Sequence, residues 1–288
     1  MNIPSAIDTN NYKSLVMAEF QSLLVDKADD ETAFQKFFEQ NPCMLPGSRS
    51  EFDFGPSGHG PEHQALITQP KIRGIIKRQP DFMWLSYDSM TFCPVLIEIE
   101  APAKRYYNRD GTVTKEFSKA KNQLDEWATV FHQPDYISAF YSDFDISKDL
   151  RKSVFKPYYI LIYGRRSEYM HDQTLKNKRF TLVDKSSGQY LMSYDRIEPI
   201  FLNNSYVTCT VKDGKFLAKN ISPTMTLGPM ESQLLEINKL VEAVDNMVYT
   251  TDERKTFFKK RIPYWIEKIK EQKKRSTSFS SSDIMKSE

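Results

Sequence analysis

The sequence predicts an α/β protein, because segments with helical periodicity alternate along it with segments of strand-like composition. The chain has 288 residues, which is enough to bury a sizeable core. Hydrophobic residues make up 40% of it and aromatic residues 13%, which is typical of globular rather than disordered proteins. The formal net charge is only +2, so overall charge does not indicate a nucleic-acid partner, and any basic surface must be local.

Two helices are predicted near the beginning of the chain. Residues 12–25 show helical spacing of apolar side chains, which are Leu15, Phe20, Leu23 and Leu24. A second helix is predicted to begin after Asp30, a suitable N-cap, and to stop at Pro42. The apolar face of this second helix consists of Phe34, Phe37 and Phe38.

Strand composition dominates between residues 64 and 100. A loop rich in Gly, Pro and Ser is predicted at 46–63. Four strand-like segments follow it, with the sequences QALITQ, GIIKRQ, DFMWLSY and PVLIEIE. This part of the chain is therefore expected to supply the beginning of a sheet.

The pattern then returns to a helix and to strands. Residues 114–131 form a strong helix candidate with Thr114 as N-cap and a buried stripe formed by Phe117, Ala120, Leu124, Trp127 and Phe131. The segment YYILIYG after Pro157 predicts a strand, and apolar segments continue at FTLVD, QYLMSY and YVTCTV. KDGK at 212–215 predicts a hairpin turn, so strands at 206–211 and 215–221 extend the expected sheet.

The C-terminal part has a different composition. Residues 230–249 are predicted to be helical, and a basic helix is predicted at 253–270, where Pro263 is a potential kink. Its apolar face consists of Phe257, Phe258, Ile262, Trp265 and Ile269. This face either packs on the rest of the chain or is an exposed stripe for oligomerisation, and the basic side either is solvated or contacts DNA. The Ser-rich residues 276–288 are expected to be disordered.

Cysteine usage and apolar segments indicate a soluble cytoplasmic protein. The three cysteines are isolated and have no metal-ligand spacing, which fits a reducing compartment. The beginning of the chain lacks the basic and apolar regions of a signal peptide, and no apolar segment is long enough to span a bilayer. We therefore expect no membrane partner.

The segment PVLIEIEAPAKR, residues 94–105, contains the most informative pattern. In a strand, Val95, Ile97 and Ile99 share one face, whereas Glu98 and Glu100 lie on the other. Two carboxylates one strand step apart repel each other, and a divalent cation would neutralise both. The alternative is a solvated face of an edge strand, which needs no cation.

A third carboxylate is expected close to this pair. If residues 81–87 and 94–100 form a hairpin with its turn at Met90 and Thr91, Asp81 lies near Glu98 or Glu100. Such an oxygen-rich site suits Mg²⁺ or Mn²⁺, which activates water and stabilises charge on a phosphate. The alternative is that Asp81 serves only the turn.

The following helix and loop add polar groups. Gln123 is predicted at the margin of the buried helical face, where its amide either holds substrate or water or is simply half-exposed. Lys104, Arg105 and Lys119 belong to a basic stretch with interleaved Tyr106 and Tyr107. That stretch is either a surface that binds the DNA backbone or an ordinary solvated face.

These residues together resemble the PD-(D/E)xK nuclease superfamily. The pattern consists of Pro80-Asp81, then Glu98-Ile99-Glu100, then a helix with Gln123 and Trp127, similar to the QxxxY motif of some members. The sequence is still more similar to the Shedu family of bacterial anti-phage defence proteins. The matching positions are Glu31, Gln35, Phe37, Glu39, Asn41 and Pro42, then Arg78 to Phe82, Ile97 to Pro102, Ala120, Gln123 and Trp127, and finally Ser193 to Arg196.

The resemblance implies a fold and a set of site residues. The fold would be a PD-(D/E)xK core, in which helices flank a central mixed sheet, with a C-terminal strand and helix extension. Asp81, Glu98 and the Ile99 carbonyl would bind Mg²⁺ or Mn²⁺, Glu100 would assist the water, and Gln123 would position substrate. Glu31 is a further candidate of lower rank. The implied domains are an N-terminal helical segment at 1–29, the nuclease-like domain at 30–200, the extension at 201–275 and the tail at 276–288.

The resemblance also implies an activity. It would be metal-dependent hydrolysis of phosphodiester bonds in DNA, by an endonuclease that acts in phage defence as a homo-oligomer. The superfamily pattern has Lys at the position of Glu100, and Lys104 is the nearest substitute. The alternative is therefore a catalytically inactive module that binds or senses DNA. A third hypothesis is a structural protein in which the strand acids form salt bridges.

Overall fold

A computed structural model of the chain describes residues 4–49, 59–75, 78–200, 206–228, 232–275 and 287. Its helices are α1 (Thr9–Asp26), α2 (Glu31–Gln40), α3 (Lys115–Val130), α4 (Pro134–Asp143), α5 (Gln173–Phe180), α6 (Leu240–Ala243) and α7 (Asp252–Arg275). Its strands are β1 (Ala65–Thr68), β2 (Phe82–Tyr87), β3 (Thr91–Ile99), β4 (Val154–Phe155), β5 (Tyr158–Ile162), β6 (Gln189–Met192), β7 (Val207–Lys212), β8 (Lys215–Ile221) and β9 (Ile237–Asn238).

The strands of the described residues form one mixed sheet. Its order is β6-β5-β3-β2-β1-β7-β8-β9, and β4 pairs with β3 beside this path. The pairs β1–β2, β2–β3 and β7–β8 are antiparallel, whereas β3–β5, β5–β6, β1–β7 and β8–β9 are parallel. The predicted α/β fold with a mixed central sheet is confirmed, and so are the C-terminal strands that extend it.

Helices cover both faces of the sheet. Val95, Ile97 and Ile99 point into a core that contains the buried residues of α1 and α2. Leu96 points into the other core, which α3, α4 and α7 help to form. The alternation along β3 is therefore as predicted, and it directs Glu98 towards the α3 side of the sheet.

The two N-terminal helices follow their caps. The Asp8 side chain accepts from the backbone N–H groups of Asn10 and Asn11, so α1 begins before the predicted residue 12. The buried residues of α1 are Tyr12, Val16, Phe20 and Leu24. Leu15 is 45% exposed, so the prediction that it belongs to the apolar face of this helix was wrong. Asp30 caps α2 as predicted, by accepting from the Ala33 N–H.

An ion pair between the buried Glu39 and the exposed Lys219 joins α2 to the C-terminal strands. The Glu39 carboxylate accepts a hydrogen bond from the Thr68 hydroxyl at 2.7 Å and pairs with the Lys219 ammonium at 2.7 Å. The Thr208 hydroxyl donates to the Glu39 carbonyl at 2.7 Å. The helix is thereby attached to β1, β7 and β8, and this contact gives Glu39 of the α2 sequence pattern a structural role.

The strand predicted for GIIKRQ, residues 74–79, is wrong in the part that the structure describes. Gly74 has φ +92°, a left-handed conformation that favours glycine, and Tyr136 and Val130 pack where its Cβ would be. The Gln79 amide accepts from the Ile72 N–H at 2.7 Å and donates to the Ile75 carbonyl. These local bonds replace the ladder bonds of a strand. Residues 76 and 77 lie outside the described residues.

Other predicted segments differ from the structure as well. The apolar segment FTLVD forms no strand, because Phe180 ends α5 and is 74% exposed. The helix predicted at 230–249 is replaced, from residue 232, by the short β9, α6 and two 3-10 turns. Lys239 there has φ 61°, which interrupts helical conformation, and Ile237 and Asn238 pair with β8 instead.

The apolar face of α7 packs inside the protein. Phe258, Ile262 and Trp265 are fully buried, Ile269 is nearly so, and all but Ile269 belong to the same core as α3. Of the two alternatives for this face, packing on the rest of the chain is therefore confirmed, and the exposed stripe for oligomerisation is not. The tail predicted at 276–288 lies outside the described residues, apart from residue 287. Within the part of the chain that the structure describes, no helix combines the length and apolarity needed to cross a membrane.

Candidate functional site

Asp81 and Glu98 are neighbours across two antiparallel strands. The pairing of Phe82 with Ile97 places Asp81, immediately before β2, opposite Glu98. The predicted register, with a turn at Met90 and Thr91, was wrong by two residues. The turn instead joins Asp88 to Thr91 through the bond from the Asp88 N–H to the Thr91 carbonyl. A shift of two residues preserves the face of each side chain, so the predicted proximity still holds.

Asp81 is half-buried and held by the backbone of β3. Its Oδ2 accepts a hydrogen bond from the Ile99 N–H at 2.9 Å. Burial raises the pKa of Asp81 to about 7, the Ile99 bond opposes this, and the charges of Glu31 and Glu100 add to it. The protein environment thus favours the neutral form of this carboxyl group near neutral pH.

Glu98 is 8% exposed and lacks part of its usual hydrogen bonding. Its Oε1 accepts from the Gln123 amide at 2.6 Å, but its buried Oε2 has no donor among the described residues. Burial, and then the charge of Asp81, raise the pKa of Glu98 well above its ordinary value. The carboxyl groups of Asp81 and Glu98 also lie within hydrogen-bond reach, so a proton or a cation is needed between them.

Gln123 is positioned by α3 and by Arg78. Thr114 caps α3 as predicted, and the whole predicted apolar stripe is buried. Gln123 is 4% exposed, so it lies inside the buried face rather than at its margin. The Arg78 Nη1 donates to the Gln123 Oε1 at 3.1 Å, which orients the amide so that its Nε2 donates to Glu98.

Glu100 forms a separate charged cluster. The Lys104 ammonium pairs with the Glu100 carboxylate and lies 3.2 Å from Glu31 at the beginning of α2. Burial raises the pKa of Glu100 while Lys104 opposes that shift. The structure thus brings Glu31, the lower-ranked candidate, next to the strand acids, and it brings a lysine to them from four residues further along the chain.

Two residues near the acids were not identified as site residues from the sequence. Arg78 belongs to the motif around Asp81, but nothing in the sequence shows that its side chain reaches α3. Tyr194 is fully buried between α1 and α2, and its hydroxyl has no hydrogen-bond partner among the described residues. Burial and the charges of Asp81, Glu31 and Glu100 raise the pKa of Tyr194, so the hydroxyl lies close to these acids.

The basic stretch differs from the predicted surface. Tyr106 and Tyr107 are buried, so neither ring is available to a DNA-binding surface formed by this stretch. Lys104 is engaged by Glu100 and Glu31, and Arg105 lies 3.5 Å from Glu168. Lys119 is exposed on α3.

Comparison with protein families identifies the chain. The sequence model of the family described as Shedu protein SduA, C-terminal, matches residues 28–197. The chain belongs to the Shedu family. The match contains Asp81, Glu98, Glu100 and Gln123, and it begins and ends close to the predicted nuclease-like domain at 30–200. Comparison with curated proteins finds no match.

The acidic residues of this Shedu domain offer carboxylate oxygens, which are suitable ligands for Mg²⁺ or Mn²⁺. Their carboxylates are not arranged around a common coordination site. Among the described residues, no three His, Cys, Asp or Glu side chains are arranged to hold a metal ion. Each carboxylate instead contacts its own partner: Asp81 contacts Ile99, Glu98 contacts Gln123, and Glu100 contacts Lys104.

Two features nevertheless fit a hard cation between Asp81 and Glu98. One is the buried Oε2 of Glu98, which lacks a donor among the described residues. The other is the Ile99 carbonyl. The register of β2 and β3 places Pro80 opposite Ile99, and proline has no N–H to donate to that carbonyl. Carboxylate and carbonyl oxygens are the ligands that Mg²⁺ prefers.

Proposed function

We propose that the chain is a Mg²⁺- or Mn²⁺-dependent DNA endonuclease with a PD-(D/E)xK-type core that acts in Shedu anti-phage defence. The observation that carries the proposal is the pair of the half-buried Asp81 and the buried Glu98, whose pKa values are both raised. The buried Oε2 of Glu98 has no hydrogen-bond donor among the described residues. Such a pair is costly unless a ligand uses it, and perturbed carboxyl groups cluster at functional sites.

The oxygens of Asp81, Glu98 and the Ile99 carbonyl would hold the metal ion. When bound, it would supply the Lewis acid that stabilises charge on a phosphate and lowers the pKa of a water molecule. Gln123 fixes the orientation of the Glu98 carboxylate through its 2.6 Å hydrogen bond. Glu100 is the group that would accept a proton from the attacking water, and the Lys104 ammonium that pairs with it favours the ionised carboxylate that such a base needs.

Lys104 is the proposed substitute for the lysine of the superfamily pattern. In the sequence, Glu100 occupies the position where that pattern has lysine. In the structure, the ammonium group of Lys104 nevertheless contacts Glu100. Lys104 therefore brings a positive charge next to position 100, where the superfamily pattern has its lysine, and this supports an active enzyme.

The second candidate is an inactive module that binds or senses DNA. It is favoured by the same contact, because an ammonium group paired with Glu100 and Glu31 is not free to act on water. Under either candidate we expect a homo-oligomer, which light scattering coupled to size-exclusion chromatography would test.

Cleavage assays distinguish the two candidates. Linear, circular and phage DNA are incubated with Mg²⁺ or Mn²⁺ and with wild type, Asp81→Asn or Glu98→Gln, while Asp29→Asn, at an exposed position, serves as control. Cleavage that requires metal, survives in Asp29→Asn and is lost in both site variants supports the nuclease. Cleavage that persists in both site variants would refute the site. Binding without cleavage by wild type would favour the inactive module.

A further inference from the structure

The exposed side of α3 carries a depression next to the candidate site. It measures about 370 Å³ and is lined by Arg78, Lys115, Ser118, Lys119, Asn122 and Glu126. Each α3 residue among these has another one three or four positions away, so they lie on one side of the helix. Three cations face a single acid there, so the local charge is positive although the whole chain is nearly neutral.

The charges of this depression are available to a ligand. Within the described residues, no ion pair involves Lys115 or Lys119, and both side chains are exposed. The stretch that the sequence pointed to is less suitable, because Lys104 is paired with Glu100 and Glu31, and Arg105 lies beside Glu168. Of these two basic regions, α3 is therefore the one with cations that are free to bind an anionic partner.

Arg78 belongs both to the depression and to the candidate site. Its Nη1 donates to the Gln123 Oε1 at 3.1 Å and to the Lys119 carbonyl at 3.2 Å. A guanidinium group has five N–H donors, and these contacts use only one of its nitrogens. Gln123 in turn contacts Glu98 at 2.6 Å, so one side chain separates the depression from the carboxylates.

We propose that this depression, which we call the α3 groove, binds the sugar–phosphate backbone of DNA beside the carboxylates, and that Arg78 holds one phosphate while it positions Gln123. The proposal rests on the proposed function, since it takes DNA as the partner. The chemistry fits: Lys115 and Lys119 are point charges for phosphates, Asn122 is an amide donor, and arginine binds phosphate with two parallel hydrogen bonds. Because these contacts go to phosphates and not to base edges, the groove contributes affinity without sequence preference.

DNA binding in EDTA tests the groove without any cleavage. Fluorescence anisotropy of a labelled DNA duplex is measured over a range of salt concentrations for wild type, Lys115→Ala/Lys119→Ala and Arg78→Ala. The matched control is Lys13→Ala/Lys36→Ala, which removes two exposed lysines from α1 and α2 on the other face of the sheet. Thermal unfolding followed by circular dichroism shows that each variant is folded.

The α3 groove predicts a specific pattern. The Lys115→Ala/Lys119→Ala variant should bind about 10-fold more weakly, and its plot of log affinity against log salt should be shallower by about 2, because each lost phosphate contact removes about 0.9 from the slope. Arg78→Ala should reduce the slope by about 1. The control pair should match wild type.

Other outcomes would overturn the groove. One is an equal loss of DNA affinity in the Lys115→Ala/Lys119→Ala variant and in the Lys13→Ala/Lys36→Ala control. The others are no loss of DNA affinity in the Lys115→Ala/Lys119→Ala variant, or no DNA binding by wild type. Failure of the nuclease proposal looks different, because DNA binding would keep the predicted pattern while no metal produces cleavage. Conversely, if wild type cleaves DNA with metal but the Lys115→Ala/Lys119→Ala variant binds DNA as tightly as wild type does, only the groove proposal is refuted.

Discussion

At the scale of single residues, Asp81 determines how the site responds to pH. Its pKa is raised by burial from 3.8 to about 7, so the folded protein binds this proton more tightly than the unfolded chain. The stabilisation from the neutral carboxyl group is complete below about pH 4 and is lost as the pH rises through about 7. Without metal, the ionised Asp81 is therefore a source of instability above neutral pH.

Asp81→Asn should reverse this effect. The amide oxygen keeps the bond from the Ile99 N–H but never ionises, so the metal-free variant should be more stable than wild type at pH 8, by on the order of 2 kcal/mol. The difference should shrink at pH 5. Urea unfolding in EDTA at both pH values measures it, with Asp29→Asn as control. A difference that is the same at pH 5 and pH 8 would show that Asp81 is not held neutral.

The sequence predicted some of the contacts at the candidate site and not others. Asp81, Glu98 and Gln123 were predictable, because strand alternation and helical periodicity fix their faces whatever the register is. The exact pairing was not, because the turn begins at Asp88, whose side chain accepts from the Met90 and Thr91 N–H groups. Arg78 was not predictable either, since its contact with Gln123 crosses 45 positions of the sequence.

At the scale of elements, the pair of Glu39 and Lys219 connects α2 to β8. Lys219→Met should destabilise the protein by about 1 to 3 kcal/mol, because the largely buried Glu39 carboxylate then keeps only its hydrogen bonds from Thr68 and Gln35. Glu39→Gln should cost less, since the amide oxygen still accepts from Thr68.

A double-mutant cycle on these two positions checks the interpretation. Unfolding free energies in urea are compared for both single variants and for Glu39→Gln/Lys219→Met. If the contact is a true pair, the double variant is more stable than the sum of the single effects predicts, because neither partner is then left as an unpaired charge. Additive effects would show that α2 and β8 are joined by other contacts.

The elements themselves were predicted with different success. Helices with a cap and a clear apolar stripe, α2 and α3, were predicted almost to their ends. GIIKRQ and residues 230–249 failed, because in both segments local backbone conformation at Gly74 and Lys239 decides the structure, and apolar periodicity does not report it.

At the scale of the whole molecule, one sheet joins the segments that carry the candidate site to the C-terminal strands. β7, β8 and β9 continue the sheet that carries Asp81 and Glu98, and α7 covers it with the face that the sequence left open to an oligomer. Whether an apolar helical face packs inside the chain or against another copy depends on the neighbouring elements, so periodicity alone does not decide it. The predicted boundaries at residues 29, 200 and 275 stay predictions.

The central claim is that Asp81 and Glu98 bind a divalent cation, and Mn²⁺ binding tests it most directly. Free Mn²⁺ is followed by electron paramagnetic resonance during titration of wild type, Asp81→Asn and Glu98→Gln at pH 8, with Asp29→Asn as control. We predict that wild type and the control bind Mn²⁺, that both site variants lose this binding, and that wild-type affinity falls at pH 6 as protons compete. Equal Mn²⁺ binding by wild type and the two site variants, or none by wild type, would contradict the account.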